Sequence, residues 1–240
     1  MAGHSKWSTI KRAKGKADAA RGKLFNRLIR EITIAAREGG GDATANPRLR
    51  TAIAAARGSN MPSKNIDSAV LKGSGQLEGV SYEEITFEGY GPNGVPILIE
   101  TVSDSRNRIV AEVRHLLTKH GGNLGQTNSV AYLFKAKGVI TVAKDAIGED
   151  ELMELALEAG ADDVFVDDEE YEISTSVDAF EAVREALINA KLEPTTAELT
   201  KEVDNPVMLT EENAAKVIKL VDALDDLDDA QHVYAGFDLT

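Results

Sequence analysis

The sequence predicts an α+β protein in three domains: an N-terminal basic helical domain and two ferredoxin-like α/β domains, one inserted in the other. Three observations lead to this expectation. Charge divides the chain: residues 1–75 carry 15 Lys+Arg and 5 Asp+Glu, a net of +10, while residues 76–240 carry 12 and 35, a net of −23 within an overall −13. The hydrophobic period is helical before residue 76 and alternates between strand and helix after it. A glycine-rich stretch, Gly73-Ser74-Gly75-Gln76-Leu77-Glu78-Gly79, marks the change.

Residues 1–22 set Lys6, Lys11, Arg12, Lys14, Lys16 and Arg21 among Gly and Ala with no clean period, which reads as a flexible arm that orders on binding. Trp7, the single tryptophan, sits among these lysines, where it either anchors the arm or stacks on an unpaired base. A helix follows over residues 23–37. At about 100° per residue, Lys23, Arg27, Arg30 and Arg37 share one face, and Leu24, Phe25, Leu28, Ile29, Ile32, Ala35 and Ala36 lie opposite. Ile34 is the exception, lying within the basic stripe, which is about 21 Å long. Gly39-Gly40-Gly41 stop this helix. Asn46-Pro47 reads as an N-cap followed by proline at the first helical position, and Leu49, Ala52, Ile53 and Ala56 continue at helical spacing to Gly58. Pro62 opens a third short helix, with Ile66, Ala69 and Val70 inward and Gly73 as its stop. Lys64, beside Pro62, stands where helix N–H groups favour anions. The core of these helices is alanine-rich and thin.

Beyond the linker, residues 83–88 and 95–102 read as a hairpin. Residues 106–119 read as a helix with Ile109, Val110, Val113, Leu116 and Leu117 inward, and residues 130–134 as a strand. From Gly138 the order is strand 139–142, helix 149–159, strands 164–166 and 172–175, helix 178–190 and strand 197–203. This is βαββαβ, the ferredoxin-like order. Helix 211–224 and strand 231–235 then have no sheet of their own. Returned to the earlier ββαβ elements they complete a second six-element layer. The expected domains are therefore residues 1–76, residues 77–136 plus 206–240, and an inserted domain of residues 137–205 with 5 basic and 20 acidic residues. The inserted domain should avoid phosphates, and either contact protein or repel the wrong surface.

Composition narrows the chemistry. The chain has no cysteine, so disulfides and thiol chemistry are excluded. The N-terminus lacks the apolar segment of a secretory signal, and the longest aliphatic run is too short to cross a bilayer; a cytoplasmic location without membrane contact is expected. Gly89-x-Gly91-x-x-Gly94 matches a dinucleotide fingerprint in letters only, because a strand rather than a helix follows; a tight hairpin is the better reading. His4, His115, His120 and His232 form no HExxH pattern and no triad signature. The acidic run Asp162, Asp163, Asp167, Asp168, Glu169 and Glu170 lacks the spacing of a Ca²⁺ loop, and Asp225, Asp226, Asp228 and Asp229 read as a charged helix end. No catalytic residue, metal site or cofactor is assigned, and an enzyme is not expected. Ser103-Asp104-Ser105-Arg106-Asn107-Arg108 joins a strand to a helix, so Arg106 and Arg108 converge near a positive dipole end and offer a second phosphate contact.

Several stretches in register resemble the YebC family. They are Gly3-His4-Ser5-Lys6-Trp7 with Ile10-Lys11, Asn46-Pro47-Arg48-Leu49-Arg50, Met61-Pro62-Ser63-Lys64-Asn65-Ile66, Gly89-Tyr90-Gly91-Pro92-Asn93-Gly94-Val95, Asn107-Arg108, and Gly121-Gly122-Asn123-Leu124-Gly125 with Ser129-Val130-Ala131. Val102-Ser103-Asp104-Ser105 and Asn128 depart from that pattern. The resemblance spans the chain and implies a helical N-terminal domain and two α/β domains, the last inserted into the second. It also implies a non-enzymatic regulator of gene expression. One role is a ribosome- and RNA-associated translation factor; the other is a DNA-binding transcription regulator.

Charge pattern and resemblance together point to nucleic acid, whose phosphates release counterions to clustered Lys and Arg. Ribosomal RNA is favoured over DNA, because a flexible basic arm suits crevices in folded RNA and no base-reading helix-turn-helix is evident. Basic ribosomal proteins are a further candidate partner. The expected contacts are Lys6, Trp7, Lys11, Arg12, Lys14, Lys16, Arg21, Lys23, Arg27, Arg30, Arg37, Lys64, Arg106 and Arg108.

Overall fold

Alanine sets the spacing of the N-terminal helices. The computed structural model describes residues 19–78, 81–166 and 170–240, with side chains from residue 22 onward. Helices α1 (Ala19–Gly39), α2 (Pro47–Gly58) and α3 (Ser63–Gly73) bury Ile32, Ala35 and Ala36 of α1 against Leu49, Ala52, Ala56, Met61, Ile66 and Ala69. The Asn46 side chain ties the bend together. Its Oδ1 accepts from the Leu49 N–H at 3.1 Å, capping α2, and its Nδ2 donates to the carbonyls of Ala35 and Gly40 at 2.7 and 2.9 Å. Gly73 lets α3 close on α1, since a Cβ there would strike the Thr33 carbonyl and the Ala36 methyl. Gly73→Ala is therefore expected to destabilise by about 1–3 kcal/mol; a urea midpoint unchanged from the parent would contradict the close approach.

Two details of α1 differ from the helical wheel. Leu24, placed inward by periodicity, is 42% exposed, while Phe25 beside it packs on the helical core. Ile34, placed within the basic stripe, is fully buried although it is not part of the helical core. The face opposite the core is thus covered as well.

By contact density the chain forms two units. Among the described residues, one holds the three helices with the chain to Ala131 and from Pro206 on; the other is Tyr132–Asn205. In the first unit, β1 (Glu83–Tyr90) and β2 (Pro96–Ser103) pair antiparallel from Glu83↔Ser103 to Tyr90↔Pro96. The turn between them is a single 3₁₀ turn, Pro92–Gly94, with Asn93 and Gly94 at positive φ. The glycine-rich motif is therefore a hairpin. Helix α4 (Arg106–Lys119), the short edge strand β3 (Asn123–Leu124), helix α7 (Glu211–Asp225) and strand β9 (Ala230–Ala235) complete a four-stranded sheet in the order β3-β1-β2-β9. Ile85, Phe87, Ile97 and Ile99 of the sheet are buried with Ile109, Val113 and Leu117 of α4 and Val217, Leu220 and Leu224 of α7. A parallel pair, β8 (Val207–Leu209) with β10 (Phe237–Leu239), was not legible in the sequence because each strand is three residues long.

The second unit runs β4 (Phe134–Ala143), α5 (Glu149–Glu158), β5 (Asp163–Val166), β6 (Glu170–Thr175), α6 (Phe180–Asn189) and β7 (Thr196–Val203). Its sheet order, β5-β6-β4-β7, antiparallel throughout, is the ferredoxin-like one. Two expectations need correction. The sheet of the first unit is not ferredoxin-like in chain order, because its elements come as ββαβαβ and β3 and β9 occupy opposite edges. The strand expected at residues 130–134 is also absent: Ala131–Leu133 is a 3₁₀ turn, and one strand runs from Phe134 to Ala143.

Candidate nucleic-acid interface

The basic stripe of α1 meets the acidic end of α7. Lys23 pairs with Asp226 at 2.5 Å. Arg27 reaches the Asp225 carboxylate at 3.1 Å and donates to its carbonyl at 2.6 Å. Arg30 pairs with Asp229 at 2.9 Å, donates to the Asp228 carbonyl, and lies 5.6 Å from the centroid of the Tyr82 ring. Arg37 is exposed and donates to the Tyr82 carbonyl. The partners make electrostatic sense: helix C-termini present unpaired carbonyls at the negative end of the dipole, and four aspartates there add to it. The stripe does face away from the helical core, as the wheel gives, but its groups are engaged within the chain.

Asp229 is the centre of this contact. It is only 3% exposed, and its two oxygens take Arg30 on one side, and Arg108 at 2.7 Å and the Ser103 hydroxyl at 2.6 Å on the other. Arg108 also pairs with Asp104 at 2.7 Å; the hydrogen bonds to Asp229 and then Asp104 raise its pKa above the ordinary value. Arg108 is thus tied to two carboxylates of its own chain while its side chain stays 45% exposed. Arg106, its neighbour, is 66% exposed and only loosely near Glu83 at 3.9 Å. Arg48 is tied in the same way, held by Glu31 at 2.7 and 3.0 Å, by Glu38 at 2.7 Å and by Glu84; hydrogen bonding to Glu31 is the chief cause of its raised pKa.

Lys64 is exposed in the first turn of α3. Lys6, Trp7, Lys11, Arg12, Lys14, Lys16 and the side chain of Arg21 lie outside the described residues. The structure adds exposed basic groups that sequence reading missed: Arg57 and Lys72 in the helical part, and Arg114 and Lys119 on α4. Arg50 is exposed as well and donates to the carbonyls of Ala43 and Thr44. Arg50 and Arg57 are two turns apart on one face of α2, a spacing that could have revealed them. Among the described residues no group of three His, Asp or Glu could hold a metal, and no helix is long and apolar enough to cross a membrane.

The loop after α4 is fixed from beneath by Glu88, a nearly buried residue of β1. Its carboxylate accepts the backbone N–H groups of Asn128 at 2.6 Å, Val130 at 2.7 Å and Ala131 at 2.6 Å. Burial alone would push this carboxyl up. The N–H groups of Val130, Ala131, Asn128 and Ser129 outweigh burial and hold it below its ordinary value of 4.5. The Tyr90 hydroxyl donates to the Ser129 carbonyl at 3.1 Å, and the Gly125 N–H donates to the Glu88 carbonyl at 2.7 Å. A Cβ at Gly122 would strike the Tyr90 carbonyl, so only glycine fits there. Glu88 gave no sequence signal, because its partners lie about forty residues away.

Basic groups are thus spread over exposed helix faces, on a body otherwise rich in carboxylates. The family model for the TACO1/YebC N-terminal domain matches residues 5–76, and that for the TACO1/YebC second and third domains matches residues 82–237. The chain belongs to the TACO1/YebC family. It is 52% identical over 240 residues to a protein of Desulfosudis oleivorans described as a probable transcriptional regulatory protein, covering 100% of this chain and 98% of that one. A protein of Persephonella marina with the same description is 53% identical over 242 residues, covering 100% and 97%. A crystal structure of a conserved hypothetical protein from Aquifex aeolicus superposes with a TM-score of 0.82 at 47% identity, covering 94% of this chain and 93% of that one.

Proposed function

We propose that the protein is a non-enzymatic, cytoplasmic regulator of gene expression that binds ribosomal RNA and acts in translation. The observation that carries this reading is the charge division, +10 in residues 1–75 against −23 in the remainder. Three parts divide the work. Residues 1–76 grip phosphates through the arm, with Lys6, Lys11, Arg12, Lys14, Lys16 and Arg21 as contacts and Trp7 available to stack on a base. Residues 77–136 with 206–240 hold that domain in place. The acidic residues 137–205 face solvent or basic ribosomal proteins. The names of the relatives favour a second reading, in which the same basic surface binds DNA and regulates transcription.

Because Lys23, Arg27 and Arg30 are engaged with aspartates, the phosphate contacts of the helical part fall to Arg57, Lys64 and Lys72. With about five phosphates neutralised, log K should fall with log salt at a slope of roughly −3.5 to −4.5. Changing Arg57, Lys64 and Lys72 together to Gln is expected to lower that slope by about 2–3 while leaving the unfolding midpoint in place. An unaltered slope would remove these groups from the interface. The reading as a whole is tested by gradient sedimentation of lysate at low salt, with and without nuclease, beside mapping of bound DNA. Nuclease-sensitive migration with ribosomes supports it. A protein that stays at the top of the gradient and is recovered at discrete promoters would transfer the assignment to DNA.

A further inference from the structure

We propose that the outer face of α4 and the loop that follows it form a second site, one that binds an unpaired nucleic-acid segment. The inference rests on the nucleic-acid reading above and assigns that chemistry to residues outside the helical domain. With Arg106 at zero and about 100° per residue, Ile109, Val113 and Leu117 cluster within about 60° of zero, and all three are buried. His115, Thr118 and Lys119 fall on the other side of the helix and Arg114 on its flank, at about 80°, and all four are exposed. The acidic residue of α4, Glu112, sits at the margin of this face and lies 4.0 Å from Arg108. Arg114 and Lys119 are separated by about 7.5 Å of helix rise.

Lys119 ends α4, and the chain passes directly into residues 120–129, a segment without Asp, Glu, Lys or Arg. Asn123, Gln126, Thr127 and Asn128 are exposed there. Their amides and hydroxyls can donate and accept, which is what the edges of unpaired bases require. The loop is rigid for a reason internal to the fold: the Glu88 carboxylate, the Tyr90 hydroxyl and the Gly122 contact all fix it from below. Rigid backbone with adaptable polar tips keeps the ordering cost of binding low. The cations of α4 hold the phosphates, and the loop meets the bases. An unpaired strand suits this division better than a duplex, whose base edges are recessed in grooves.

The test uses the full chain and labelled 12-nucleotide single strands of RNA and of DNA, with duplexes of the same sequences. Arg114→Gln with Lys119→Gln should weaken single-strand binding 5–20-fold and reduce the salt slope by about 1.4. Asn123→Ala with Gln126→Ala should leave the slope unchanged and flatten the preference among base sequences. The RNA and DNA arms identify which strand carries the chemistry. Unfolding midpoints are measured for every variant, so a folding defect is distinguished from lost contacts. Parent-like binding by both pairs, while the Arg57, Lys64 and Lys72 variant is impaired, would overturn this site and leave the broader reading standing. Duplex preferred to single strand, with the same dependence on Arg114 and Lys119, would overturn it in favour of a groove-binding helix. No binding to any probe would remove both.

Discussion

Asp229→Ala is expected to lower folding stability by about 3–5 kcal/mol, the cost of removing one partner from a buried charge cluster. Arg30, 13% exposed at its side chain, would lose its carboxylate, and Arg108 would keep Asp104. The Asp228 carbonyl and the Tyr82 ring still face Arg30, which places the effect toward the lower end. Arg30→Ala should cost a similar amount, and the double variant less than the sum, because both remove the same contact. Lys23 and Asp226 behave differently: their side chains are 38% and 76% exposed, so breaking that pair should change stability by less than about 1 kcal/mol. The same geometry changes the meaning of charge reversal on α1. Glutamates at positions 27 and 30 would face Asp225, Asp228 and Asp229, and loss of stability would precede any loss of binding. Chemical denaturation of the single and double variants measures each of these quantities. An Asp229→Ala variant within 1 kcal/mol of the parent would show that the cluster does not hold the helices to the sheet.

Glu88→Ala should cost about 2–4 kcal/mol, since three backbone N–H groups lose their acceptor at once. Glu88→Gln keeps one oxygen and should cost less. The pH dependence carries a sign. The folded-state pKa of Glu88 lies below its ordinary 4.5, so the unfolded chain binds the proton more tightly than the folded one. Its stabilising contribution is full above the unfolded value and is lost as pH falls through the lower folded value. In Glu88→Gln, which has no carboxyl to titrate, the part of the acid sensitivity that belongs to this residue should therefore vanish. Stability measured between pH 6 and 3 in parent and variant gives the difference directly; parallel curves would contradict the assignment.

Element type was largely legible in the sequence, and connection was not. Residues 23–37 carry a clear helical period, Asn46-Pro47 a clear cap, and Gly89–Gly94 a clear turn, because each is a local matter of side-chain spacing or backbone freedom. What periodicity could not give was the partner of each face. Ile34 among the arginines looked like an exception to amphipathicity; its complete burial is the sign that α1 has two covered faces. Asp225, Asp226, Asp228 and Asp229 looked like a solvated helix end because their cationic partners lie about two hundred residues earlier. Short strands with one or two ladder pairs, such as β3, carry too few residues to show an alternation. Exposed cations on α2 and α4 escaped notice for a related reason: Arg50 and Arg57, and Arg114 and Lys119, stand more than a turn apart along their helices, so no unbroken run of charge advertises them.

The pairing of Lys23 with Asp226 spans 203 residues of chain. A ribosome adding about 5–20 residues per second needs on the order of 10–40 s to travel that distance. For that interval α1 has been made and its aspartates have not, so every newborn copy carries an uncovered row of arginines beside the RNA of the machine that is making it. The finished fold withdraws that row only when the last helix emerges. Nascent and mature chains thus present different charges to the same surroundings, and the order of synthesis sets when one becomes the other.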